Sequence, residues 1–416
     1  MEGIRLKKTA NAAARERSRL SREFYPFLIM ISCFSLLQLV YSTFLSTYTL
    51  AVTGSARNVK IFNIILAACQ PVSMIAAVVM IRRVSAIRTQ QLGLMLIVLV
   101  NVYLFADVEN AANNIYWVSA VQSIANGFYF TTYACQYVSY TTNENRDRAA
   151  GLTNLVTNAL SLAFSIGSSL LFSFCPDAAG YRILFLISFV ISLAALAISF
   201  KLSPLDALGS DRRVYYLHAH RVLMGDKWAR ASMVVSMIDG MRAGVLTFFL
   251  NILLYSMIDS EALVGLNTFL TMLCGIVASA LYARFVHVET RYRSAQLSIA
   301  AMLLVTLGLI VRMSPTTIIL YGAFNALMLP FYSTPLINVY WTVLEKVPGL
   351  SFCRAETHAA REVYYGLGRI IGVALTLVLP ATGMGSAIVL LCLMATQYLG
   401  LYLSRGIMRD LDKTPI

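Results

Sequence analysis

What most restricts the folds open to this chain is the recurrence of long apolar runs. Twelve of them occupy 25–51, 59–81, 90–107, 115–141, 149–174, 182–200, 230–257, 262–284, 294–312, 316–344, 359–380 and 384–404. A helix that crosses a bilayer needs about 20 mostly apolar residues, and these runs have that length. They are continuously apolar rather than alternating, which predicts helices and not the strands of a lipid-facing barrel. Only 13% of the 416 residues are charged and 58% are hydrophobic, too little charge for a soluble surface. The fold class expected is an all-α integral membrane protein.

A polar stretch divides the runs evenly. KLSPLDALGSDRRVYYLHAHRVLMGDKW, from Lys201 to Trp228, has six runs on each side. The expected organisation is therefore a basic arm (1–24), a six-helix half (25–200), a connector (201–229), a second six-helix half (230–404) and a tail (405–416). The first run follows a polar arm and precedes eleven similar runs, so it reads as a span and not a cleaved leader.

Charge sets the expected orientation. With the N-terminus inside, inward segments hold 27 of the 33 lysines and arginines. Outward loops hold Arg57, Lys60, Arg182 and Arg312 against Asp107, Glu109, Asp177, Asp259 and Glu261. This positive-inside bias predicts a multi-pass inner-membrane protein with both termini and the connector in the cytoplasm. The net charge of +13 then reflects topology and contact with anionic headgroups, and no nucleic-acid partner is expected. The seven cysteines form no CxxC pair and the four histidines share no metal spacing, so no metal or other cofactor is expected.

Polar residues inside apolar runs are costly and mark function by default. Run 1 carries Gln38 and Tyr41. Run 4 carries Gln122, Asn126, Tyr129, Tyr133, Gln136, Tyr137 and Tyr140 at helical spacing, a predicted face lining a cavity or bonding other helices. Run 5 offers Gly167, Ser168 and Ser169 for close packing. Run 7, MVVSMIDGMRAGVLTFFLNILLY, places Asp239 and Arg242 three apart on one face, either as a functional pair or as a structural ion pair. Run 10 carries Asn325 and Tyr332 with Pro330 and Pro335. Run 11 carries Glu362 and Arg369 seven apart on one face, with Gly366, Gly368 and Gly372 for close helix approach.

The halves match loosely, Asn126 and Tyr133 corresponding to Asn325 and Tyr332. This six-plus-six arrangement, with its basic connector, resembles the major facilitator superfamily of secondary transporters over essentially the whole chain. The turn between runs 2 and 3, AVVMIRRVSAIR, keeps the family's basic residue as Arg82, while Ile81 takes the acidic position and Ala77 and Val84 replace glycines. The corresponding YARFVHVETRY keeps Arg284. The resemblance implies two pseudo-symmetric six-helix bundles around a central cavity lined by runs 1, 4, 7 and 10, with runs 3, 6, 9 and 12 outside.

The function expected is proton-coupled transport of a small or amphipathic solute by alternating access, leaning towards export. Asp239 would couple, releasing Arg242 when protonated. Arg242, Arg369, Glu362, Gln38, Tyr41, Asn126, Tyr129, Tyr133, Tyr137, Asn325 and Tyr332 complete the predicted site. An importer or facilitator of a small anionic or polar nutrient is the alternative, followed by a sensor on the same fold. No nucleophile–base set or nucleotide loop occurs, so neither an enzyme nor an ATP-driven pump is expected. Nothing demands a partner chain, and a monomer is expected.

Overall fold

The computed structural model describes residues 20–53, 56–175, 177–205, 213–258, 261–378 and 384–411. Most of the basic arm, the middle of the connector and the end of the tail lie outside the described residues. Every regular element among the described residues is helical.

The first run is a broken helix rather than the single one predicted. α1 (Phe24–Leu39) passes through a π-helical segment, Val40–Leu45, into α2 (Ser46–Thr53). Seven residues is two α-helical turns, so Tyr41 and Tyr48 would share a face in a regular helix. The wider π turns rotate α2 relative to α1. Tyr41 faces inward, while Tyr48 donates to Val108 O at 2.7 Å and packs on Tyr181.

α3 (Ala56–Arg83) contains Pro71, and α4 (Ala86–Ala106) starts at Ser85, whose hydroxyl accepts from Arg88 N at 3.2 Å. The predicted acidic loop after α4 is instead a short helix, α5 (Val108–Asn113), N-capped by Asp107. α6 (Ile115–Tyr140), α7 (Arg146–Phe174) and α8 (Asp177–Ser199) complete the first half.

Within the connector, α9 (Tyr216–Gly225) precedes α10 (Lys227–Ile258). α11 (Glu261–Phe285), α12 (Arg291–Val311), α13 (Pro315–Lys346), α14 (Arg354–Val378) and α15 (Met384–Leu411) follow. α13 opens on a reciprocal Ser314–Thr317 cap with proline at its first position, where the absent N–H costs nothing.

Six helical stretches among the described residues are long and apolar enough to cross a membrane: Phe24–Ser42, Ala86–Ala106, Arg146–Phe172, Ala179–Ser199, Arg291–Val311 and Ile388–Arg409. They correspond to predicted runs 1, 3, 5, 6, 9 and 12. Large apolar side chains are exposed on α4, α8, α12 and α15, such as Leu99, Val190, Leu304 and Leu399. The exposure extends beyond the four helices expected to be outermost, with Leu170 of α7 and Leu281 of α11 also exposed.

Packing is mostly within each half: α3 and α4 against α6, α1 against α7 and α8, α10 against α14 and α15, α11 and α12 against α13. The halves meet where α7 packs on α11 and α3 on α14. At the first junction a Cβ on Gly151 would overlap Ala283, and Asn158 lies over Gly275. Gly167, expected to serve close packing, borders open space, with nothing within 4 Å of where a Cβ would sit.

The tightest pair is α10 with α14. A Cβ on Gly240 would overlap the backbone of Tyr365, and one on Gly244 the backbone of Arg369. Conversely, Gly368 lies against Met237 O and Gly372 against Met241 O. Reciprocal glycines let the two backbones touch, an arrangement suited to lipid, where close van der Waals contact replaces the hydrophobic effect. Gly366 turns elsewhere: a Cβ there would sit 3.2 Å from Pro71 Cγ of α3.

Candidate functional site

A cavity of about 570 Å³ lies between the halves. α1 and its π segment, α3, α6 and α7 form one wall; α10, α13 and α14 form the other. The walls differ in chemistry. From the first half come amides, hydroxyls and rings: Gln38, Tyr41, Gln70, Gln122, Asn126, Tyr133, Tyr137, Thr153 and Asn154. Gln38 Nε2 donates to Asn126 Oδ1 at 2.8 Å, which orients both amides.

Every acidic and basic residue of the lining comes from the second half: Asp239, Arg361, Glu362 and Arg369. Two of them satisfy each other, Arg361 Nη1 lying 3.0 Å from Glu362 Oε1. Arg361 also donates from Nε to Ser236 Oγ at 3.1 Å and lies over the rings of Tyr340 and Tyr365. Asp239 and Arg369 make no ion pair or hydrogen bond among the described residues. His358 stacks on Trp341 at 5.6 Å, and its Nδ1 is 3.4 Å from the Tyr340 hydroxyl.

Among the described residues, three ion pairs at the end that carries the connector join one half to the other. Arg82 Nε meets Glu356 Oε1 at 2.8 Å, with both side chains almost wholly buried. Arg146 meets Glu345, and Arg291 Nη2 meets Asp147 Oδ2 at 2.7 Å. Asp147 also accepts from Asn338 Nδ2 at 2.6 Å and from the Tyr282 hydroxyl at 3.0 Å. Such complete coordination is what allows a buried carboxylate to stay charged without large cost. The connector joins in: Tyr215 N donates to Glu356 Oε1 at 3.2 Å, and its ring lies beneath the Arg82 guanidinium. Arg82, whose expected acidic neighbour is Ile81, takes its carboxylate from α14 instead.

Known proteins with this architecture move solutes. The fucose:proton symporter FucP of E. coli superposes with a TM-score of 0.70 at 12% identity, over 93% of this chain and 99% of its own. The major facilitator superfamily proton:xylose symporter XylE gives 0.67 at 10% identity, over 92% and 95%. The chain has the major facilitator fold. The human organic anion transporter MFSD10 shares it, with a TM-score of 0.66 at 12% identity over 92% of this chain and 97% of its own. In sequence, the uncharacterized protein YqgE of Bacillus subtilis (strain 168) is 20% identical over 340 residues, 82% of this chain and 78% of its own length. No family model matches the chain.

On the major facilitator fold, eight predicted site residues meet at the cavity: Gln38, Tyr41, Asn126, Tyr133, Tyr137, Asp239, Glu362 and Arg369. Four do not line it. Tyr129 is buried against Phe34, ring on ring at 3.5 Å. Arg242, Asn325 and Tyr332 form a separate cluster behind the wall, where Arg242 Nη2 donates to Asn325 Oδ1 at 3.0 Å and the guanidinium lies 5.5 Å from the Tyr332 ring. The expected Asp239–Arg242 pair is therefore absent: Asp239 turns to the cavity and Arg242 to α13. The tyrosine face of α6 is divided as well, since Gln136 exchanges hydrogen bonds with Gln90 of α4 and Tyr140 donates to Ser203 O at 2.9 Å.

The site predicted from the sequence omits His358, Arg361, Trp341, Tyr365, Thr153 and Asn154, which also line the cavity. A signal for two of these was present. His358, Glu362, Tyr365 and Arg369 recur at spacings of four, three and four, the period of one helical face. Only the seven-residue step from Glu362 to Arg369 was read.

Proposed function

We propose that this protein is a secondary transporter of a small solute, working by alternating access without a covalent step or a bound cofactor. Its helices would form twelve spans in two pseudo-symmetric six-helix bundles in the cell inner membrane, with both termini and the connector in the cytoplasm. The arm at 1–24 would rest on anionic headgroups. A monomer suffices for this reading, because the cavity is built within one chain.

The observation that carries the proposal is a polar cavity between halves that are joined at the connector end by ion pairs and by a shared apolar core. The three inter-half ion pairs of the connector end would close the cytoplasmic side in this state. Their exchange for contacts at the opposite end would expose the cavity to the cytoplasm. Ion pairs suit such a latch: each is directional, and water repays part of the loss when the halves separate.

Asp239 is the proposed proton-coupling residue, because it lines the cavity with no cation bound to it. A proton or a cationic group on the solute would then compete for one carboxylate, which makes exchange of solute for proton possible and supports export. A second reading, uptake of an anionic or polar nutrient, is favoured by Arg369, which also faces the cavity without a partner. FucP and XylE are proton symporters, so proton-coupled symport has precedent on this fold.

The test is solute-dependent proton movement in proteoliposomes, with wild type and Asp239→Asn compared. Movement in the wild type that disappears in the folded variant supports coupling at Asp239. Unchanged proton movement in the variant removes Asp239 from that role.

A further inference from the structure

We infer that the solute is zwitterionic, with its cationic group on Asp239 and its anionic group on Arg369. The inference rests on the transporter reading and adds a substrate class to it. Four charged side chains line the cavity, two acidic and two basic. Arg361 and Glu362 compensate each other at 3.0 Å, and the guanidinium is further occupied by Ser236 and two tyrosine rings. Asp239 and Arg369 remain, of opposite sign, both turned to the cavity and neither bonded to the other.

The backbone sets their spacing. Gly240 touches Tyr365 and Gly244 touches Arg369, so α10 and α14 run in the same direction with Asp239 near the level of Tyr365. Arg369 lies four residues further along, about 6 Å at 1.5 Å per residue. Reciprocal glycine contact leaves little room for the register to slide. The two side chains thus leave their helices about 6 Å apart along the shared axis, a span that a solute with a short aliphatic spacer can bridge.

Charge balance then selects the solute. An amine alone would leave Arg369 without a hydrogen-bonded partner, since the nearby Glu362 is paired with Arg361. An acid alone would leave Asp239 so, since the nearby Arg242 and Arg361 bond to Asn325 and Glu362. A solute with both groups satisfies both. The facing wall supplies what the middle of such a molecule needs: the Gln38–Asn126 amide pair for a polar spacer and the rings of Tyr133 and Trp341 for an apolar one.

The probes are 5-aminovalerate, whose charges are separated by four methylenes, alanyl-alanine, and the single-ended pentylamine and valerate. Binding to the purified full chain is read by thermal shift and by scintillation proximity. The wild type should bind 5-aminovalerate or alanyl-alanine about tenfold to a hundredfold more tightly than either single-ended probe. Asp239→Asn should reduce zwitterion binding to the level of valerate and leave valerate unchanged. Arg369→Gln should reduce it to the level of pentylamine and leave pentylamine unchanged.

Equal binding of zwitterion and fragments, or no binding of any of them by monodisperse wild type, overturns the inference. So does a uniform loss of all probes in folded variants. If either variant fails to fold, Asp239→Glu and Arg369→Lys replace it, and unchanged zwitterion preference with either charge moved in this way supports the assignment. Counterflow separates the two claims. Zwitterion binding without counterflow defeats the transporter reading alone, whereas counterflow of a neutral sugar with no zwitterion bound defeats the zwitterion alone.

Discussion

Arg82 and Glu356 stand 274 positions apart in the chain and meet at 2.8 Å in a contact almost sealed from solvent. Arg82 closes α3 and Glu356 lies in the first turn of α14, so one ion pair ties the end of a first-half helix to the start of a second-half helix. Arg82 also donates to Phe352 O at 2.5 Å, and Glu356 accepts from Tyr215 of the connector. Loss of either side chain leaves a buried ion without its partner.

Glu356→Gln should therefore loosen the connector end, and Cys353 reports on it. Burial, reinforced by the nearby Glu356 carboxylate, pushes the Cys353 thiol up to about 12. A raised thiol pKa means little thiolate at neutral pH, so alkylation of wild type should stay slow until the pH approaches that value. In Glu356→Gln one cause of the shift is gone and access improves. Alkylation at Cys353, followed by mass spectrometry at neutral pH, should accelerate about tenfold. An unchanged rate would show that the pair does not hold this end shut.

Asp147 carries the densest coordination of the three latches. Asp147→Asn should lower stability by about 3–5 kcal/mol, the usual cost of leaving a buried charge, here Arg291, without its partner. Asp147→Asn combined with Arg291→Met should recover part of that loss by removing the orphaned cation. Thermal unfolding in detergent provides the measurement, and additive losses in the double variant would contradict the coupling.

Gly368 lies so near Met237 O that a methyl group there must displace α10 or α14. Gly368→Ala should cost about 1–3 kcal/mol, the range for overpacking a close contact. Gly167→Ala is the control, since that site is open. Equal melting temperatures for the two variants would show that the glycine contact is not tight.

Arg242 and Arg369 should separate in kinetics. Arg242→Gln breaks the hydrogen bond to Asn325 behind the wall, so stability should fall by about 1–3 kcal/mol while solute affinity changes less than about twofold. Arg369→Gln should do the opposite, weakening solute affinity about tenfold or more with little change in stability. A large affinity loss in Arg242→Gln would place that residue in the site after all.

Helix class, the positions of the runs and the identity of the polar-bearing helices were legible in the sequence, because each depends on residues near one another along the chain. Length and continuity of an apolar run decide a membrane helix locally. Helical period alone placed Glu362 and Arg369 on one face, and Tyr133 and Tyr137 on another.

Partner choice was not legible. Asp239 and Arg242 sit three apart, which permits a pair, yet Arg242 is long enough to reach Asn325, 83 residues away. Tyr129 has the spacing of a cavity residue and spends its ring on Phe34. The π segment after Leu39 changes the face of everything beyond it, and no residue pattern announces it. The latch of Arg82 with Glu356, Arg146 with Glu345 and Arg291 with Asp147 exists only because helices remote in sequence end at the same level. The sequence by itself determined which segments are helices and which of them carry charge. Only the tertiary structure decided which charges cancel and which two are left facing the cavity, because that depends on distances between helices rather than along them.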